Sequence, residues 1–290
     1  MDIESLMYGY DLGGRVMFSE PRRILSGELG AQLSRRVGSS LEFMEHRDYF
    51  PGDDLRRIDW NAYARGDRLA VKLFREEVYP HIDLLLDVSR SMNLVGSRKG
   101  EATYALAGFF SSVAAESRYS FRVFLTDDGC RVLDRSHLTP LEWESFELSA
   151  TNSPNEALFR QPPEWKPHGI RILVSDFLFN ADPALLISRV AEGSAVTILV
   201  QLLAEADVEP LERGYCRLTD SENEEELELY VDLGLLENYK RNLARHQDNY
   251  RVVARRCGVF CVTVIAEHFL NTGRLDELFD LELLKYPNSK

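Results

Sequence analysis

The stretch Ile82–Asp83–Leu84–Leu85–Leu86–Asp87–Val88–Ser89–Arg90–Ser91–Met92 decides the fold. Its first half is a short apolar run ending at an aspartate, the profile of a strand buried on both faces. Residues 101–117 follow, with Ala105, Leu106, Phe109, Phe110, Val113 and Ala114 at helical spacing. Strand and helix then keep alternating. Residues 121–125 read as a strand, and 130–133 return after the Asp128–Gly129 turn. Residues 170–174 form a second buried run that ends at Ser175–Asp176. Asp182 and Pro183 open a helix as N-cap and first helical residue. A strand at 195–200, a hairpin at 215–218 and 227–231, and a long helix at about 235–256 come next. A strand at 259–265 and a last helix after Gly273 complete the pattern. Buried strands alternating with helices predict an α/β fold, a mostly parallel sheet covered on both sides. Up to about Pro80 that alternation is missing. The expected division is therefore an appendage over residues 1–80 and the sheet domain over 81–290.

Composition narrows the function classes. The 290 residues carry Lys+Arg 34 against Asp+Glu 47, a formal net charge of −13. A general nucleic-acid binder needs a basic face to displace phosphate counterions, and docking on anionic lipid needs one too. Neither fits this balance. The four cysteines, Cys130, Cys216, Cys257 and Cys261, are too scattered for a secreted disulfide framework and read as reduced thiols in or near a core. Met1–Asp2–Ile3–Glu4 is acidic where a signal peptide is cationic. No run approaches the roughly 20 apolar residues that span a bilayer. The expectation is a cytoplasmic protein without direct membrane insertion.

Ligands of open α/β sheets bind beyond the carboxyl ends of the strands, where Asp87 and Asp176 stand. After the first strand, D-x-S-x-S presents the Asp87 carboxylate and the Ser89 and Ser91 hydroxyls at alternate positions. Hard oxygens of low total charge suit Mg²⁺ or Mn²⁺. The competing reading has Ser89 and Ser91 capping the next helix while Asp87 bonds loop amides. Other motifs fail: there is no G-x-x-x-x-G-K-[ST], no G-x-S-x-G and no H-E-x-x-H. The acidic run from Asp220 to Glu228 reads as a solvated hairpin tip, with a docking patch for a basic partner as the alternative.

D-x-S-x-S with a second strand-end aspartate resembles the metal-ion-dependent adhesion site of von Willebrand factor A-type domains. The resemblance implies Asp87, Ser89 and Ser91 as direct ligands of Mg²⁺ (or Mn²⁺). It implies Asp176 as a further ligand, usually through water, and a middle-loop hydroxyl supplied by Thr151 or Ser153. Upstream, Arg47–Asp48–Tyr49–Phe50–Pro51–Gly52–Asp53–Asp54–Leu55–Arg56–Arg57–Ile58–Asp59–Trp60, with Ala64–Arg65 and Leu69–Ala70–Val71–Lys72, resembles the signature of domain of unknown function number 58, soluble branch. That implies a von Willebrand factor A-like, doubly wound α/β fold with an N-terminal appendage. It also implies a non-enzymatic, chaperone-like binding module that works with a MoxR-type AAA+ ATPase in the maturation of a client protein. The Arg/Asp/aromatic strip from Arg47 to Arg65 reads as a structural clasp or as a partner surface, with Tyr49, Phe50, Trp60 and Tyr63 as docking anchors. The rival class is a metal-dependent hydrolase or phosphotransferase using Asp87. Against it, Ser89 stands where a carboxylate is needed, and no lysine is evident as a phosphate clamp.

Overall fold

The computed structural model describes residues 1–19, 42–48, 58–60, 63, 66, 69–75, 81–137, 139–210, 213–221 and 225–287. Among them, α1 (Ile3–Gly13) leads to the short strand β1 (Met17–Phe18), and β2 (Glu42–Asp48) pairs antiparallel with β3 (Ala70–Arg75). Then come β4 (His81–Asp87), α2 (Lys99–Glu116), β5 (Ser120–Thr126), β6 (Cys130–Val132) and α3 (Pro154–Arg160). They are followed by β7 (Ile170–Ser175), α4 (Pro183–Ala191), β8 (Val196–Leu203) and α5 (Glu205–Val208). The chain continues through β9 (Gly214–Thr219), β10 (Glu226–Val231), α6 (Leu233–Arg256) and β11 (Phe260–Ile265). It closes with α7 (Ala266–Thr272), α8 (Asp276–Asp280) and β12 (Leu284–Lys285).

The central sheet runs β11-β8-β7-β4-β5-β6, parallel throughout except for the β5–β6 edge. Because side chains alternate along a strand, each central strand feeds two cores. Leu84, Leu86, Ile172, Val174, Ile198 and Val200 pack into the layer that holds α2 and α7. Leu85, Leu173, Leu199 and Phe124 pack into the layer of α3, α4 and α6. The sheet is therefore doubly wound, consistent with the von Willebrand factor A-like expectation. Asp83 in β4 faces bidentate bonds of 2.9 Å from Arg122 of the neighbouring strand, so the buried charge at that end of the sheet is paired.

The chain divides into two compact units, residues 1–24 with 80–290, and residues 25–79. One boundary between the units falls between residues 79 and 80. Residues 1–24 belong to the sheet unit, where α1 packs along α2. That packing is unusually close: a Cβ on Gly9 would fall on the Ala105 carbonyl, and one on Gly108 on the Leu6 carbonyl. Asp2 caps α1 by accepting from the Ser5 amide at 3.1 Å. At the other end, β1 pairs antiparallel with β12.

Other expectations concern single side chains and the hairpin. Trp60 is 60% exposed, with its ring edge-on to Tyr63. Tyr49, Phe50 and most of the strip from Arg47 to Arg65 lie outside the described residues. Among the cysteines Cys130 is buried, but Cys257, just past the end of α6, is exposed; all four are free thiols. The β9–β10 hairpin forms its own two-stranded sheet, with Leu218 opposite Leu227 and both exposed. None of the described helices is long and apolar enough to cross a membrane.

Candidate functional site at the carboxyl ends of β4 and β7

Asp87 is the last residue of β4 and is fully buried. Its Oδ1 accepts from the Ser89 amide at 2.9 Å, and its Oδ2 accepts from the Ser175 hydroxyl at 2.6 Å. Every one of these donors is neutral. Burial, and then the charge of Asp176, push the Asp87 carboxyl up to about 7, and the serine bonds only partly offset this. Beside it, the Ser89 and Ser91 hydroxyls lie 2.9 Å apart. Ser89 is buried and Ser91 half-buried. The capping alternative holds only for Asp87, which does bond a loop amide. Ser89 makes no side-chain cap to the 3₁₀ turn that follows it, and the α2 entrance is served by Ser97, whose Oγ accepts from the Lys99 amide at 3.1 Å.

The middle loop reaches the same place. Ala150 forms a parallel bridge with Ser89: its amide donates to the Val88 carbonyl and its carbonyl accepts from the Arg90 amide, both at 2.9 Å. Thr151 is the next residue and is exposed. Ser153, the alternative, is engaged elsewhere. It is the N-cap of α3, closing a capping box with Glu156 in which Ser153 Oγ accepts from the Glu156 amide at 3.3 Å.

Asp176 follows β7 and is buried, but its carboxylate is already engaged. Oδ1 accepts from the Leu178 amide at 2.9 Å, and Oδ2 accepts from the Lys99 ammonium at 2.9 Å. Lys99 opens α2, is 1% exposed, and lies 3.2 Å from a second carboxylate, Asp207 of α5. Burial pulls its ammonium down, yet Asp176 and Asp207 together outweigh that and raise it. The backbone turns sharply here. Phe177 sits at φ 56°, a left-handed conformation that a bulky residue adopts only when held. The holders are Ser175 Oγ, which accepts from the Phe177 amide at 3.1 Å, and His246 Nε2, which donates to the Phe177 carbonyl at 2.7 Å.

Sequence reasoning thus missed Lys99, Ser175 and Asp207. The signal for Lys99 was a cation at the head of a helix whose other positions are apolar nearly all round, where no solvent face is left for it. It supplies no clamp for a phosphate, since its ammonium sits between two carboxylates. Among the described residues no group of three or more His, Cys, Asp or Glu converges on one point. What remains is one buried carboxylate beside two hydroxyls, a donor set whose chemistry fits a hard divalent cation.

Residues 45–123 match the family described as "Protein of unknown function DUF58". The match covers 79 of the 290 residues, so over that stretch the chain is similar to the DUF58 family. The DUF58 match takes in β4, the D-x-S-x-S turn and Lys99, and stops within β5, before Asp176. No curated protein matches the chain. Among solved structures it is similar to conserved hypothetical protein BatB from Bacteroides thetaiotaomicron, at 11% identity over 70% of this chain and 98% of that one, with a TM-score of 0.33. An aerotolerance-related membrane protein from Bacteroides fragilis gives 10% identity over 69% and 99%, with a TM-score of 0.33.

Proposed function

We propose that this chain is a non-enzymatic, metal-dependent protein-binding module. Asp87, Ser89 and Ser91 would hold Mg²⁺ or Mn²⁺ at the carboxyl end of β4. The observation that carries this reading is the state of Asp87: a fully buried carboxylate whose bonds, among the described residues, come from neutral donors. A buried charge without a counter-charge is costly, and an ion bound there relieves both the desolvation and the repulsion from Asp176. Such an ion supplies a Lewis-acidic position that a carboxylate of another protein can occupy. Thr151 lies on the loop bridged to Ser89 and is the candidate for a further hydroxyl. The partner that the resemblance implies is a MoxR-type AAA+ ATPase acting with this chain on a client protein. Hydrolysis belongs to the ATPase and recognition to this chain.

The test is a binding assay between the purified chain and a MoxR-type ATPase, with Mg²⁺ and with EDTA. Association is expected with the ion, and is expected to be lost with EDTA and in Ser89→Ala/Ser91→Ala. A complex that survives both overturns the metal-dependent reading. Turnover of a phosphoester panel that Asp87→Asn abolishes would instead favour the hydrolase alternative.

A further inference from the structure

We infer that Lys99 is a built-in cation of this site, which keeps Asp176 out of the ion's coordination shell and leaves Asp87, Ser89 and Ser91 as the chain's ligands. The inference rests on the metal reading above and departs at one residue from the ligand set that the resemblance implies. In the family resemblance Asp176 is a further ligand, usually through water; here its two oxygens are bonded to the Leu178 amide and the Lys99 ammonium. An oxygen has lone pairs to spare, so the bonds alone do not exclude an ion. Charge does. A divalent ion on Asp176 would lie next to an ammonium buried with it, where there is little water to screen their repulsion.

The ammonium cannot step aside either. Lys99 is the first residue of α2, its carbonyl accepts from Thr103 Oγ1 at 2.8 Å, and its second partner is Asp207 at 3.2 Å. Asp207 is itself fixed, accepting from the Ala204 amide at 2.9 Å. Lys99 therefore joins the head of α2 to the ends of β7 and β8. The charge balance agrees. Asp87, Asp176 and Asp207 against Lys99 leave two negative charges, which one divalent ion neutralises. Without Lys99 the same cluster would hold an excess charge and repel an incoming carboxylate of a partner. Asp176 is then a positioning residue: it anchors Lys99 and raises Asp87, but does not touch the ion.

Calorimetric titration with MgCl₂ and MnCl₂ tests this with wild type, Asp87→Asn and the charge-matched double variant Lys99→Met/Asp176→Asn. The double variant keeps the net charge around the ion, so its affinity should stay within about threefold of wild type, whereas Asp87→Asn should bind nothing. If the double variant loses binding as fully as Asp87→Asn does, Asp176 is a ligand and the inference is overturned, while the metal reading stands. If wild type binds no ion, the metal reading falls and the inference falls with it. Should the double variant not fold, the side-chain ¹⁵Nζ resonance of Lys99 in the wild-type chain decides. It should persist at saturating Mg²⁺; its loss would show the ion displacing the ammonium from Asp176.

Discussion

Asp87 has left water without gaining a cation among the described residues, and a pH dependence follows from that. Its folded-state value of about 7 lies above the roughly 3.9 of an unfolded aspartate. Between the two, the folded chain binds more protons than the unfolded one, so its contribution to stability falls as pH rises. That contribution is complete below about pH 4 and lost as pH passes through about 7. Melts of the EDTA-treated protein should show this loss, and Asp87→Asn should flatten it. A wild-type profile identical to that of the variant would sink the assignment. Mg²⁺ competes with the same proton, so its apparent affinity should climb over this range. At this scale the sequence was half legible. D-x-S-x-S declares Asp87, Ser89 and Ser91 because alternation places them on one side of a turn. Lys99 meets Asp176 across 77 residues of chain, and no local spacing encodes that meeting.

Elements were easier to read where burial is uniform. β4, β7 and β8 show as apolar runs because both of their faces are covered, and Asp182–Pro183 does open α4, with the Ala184 amide donating to Asp182 at 2.8 Å. Helix α1 escaped notice for a physical reason: Gly9 and Gly13 weaken the helical signal, yet they are what its packing needs. The Gly9–Ala105 and Gly108–Leu6 approaches bring backbone against backbone, so a larger side chain must push the helices apart. Gly108→Val should cost about 1–3 kcal/mol or more in a denaturant melt. Gly14→Ala is the control. Gly14 has φ −65°, and a Cβ there meets nothing closer than 3.6 Å. Equal stability in the two variants would mean that α1 is not seated on α2.

For the molecule as a whole, the fold should stand without an ion. Leu84, Leu85, Leu86, Ile172, Leu173 and Val174 are buried beneath the site. Each contributes roughly 1.5–3 kcal/mol by burial, which no weak ion matches. An ion at ten- to thirtyfold its Kd adds only about 1–2 kcal/mol. Chelation should leave the circular dichroism spectrum unchanged and lower the melt by a few degrees at most; unfolding in EDTA would make the ion structural. The α/β class was readable because buried strands and helices alternate from β4 onward. That residues 1–24 return to the sheet unit was not, since the closing pair joins Met17 to Lys285 and Phe18 to Leu284. This last pairing also bears on the order in which the protein can be made. A ribosome makes β1 long before β12. Until β12 emerges, β1 has no such partner, and α1 can settle on α2 while its neighbour waits. This seam of the unit can close only once β12 has cleared the exit tunnel.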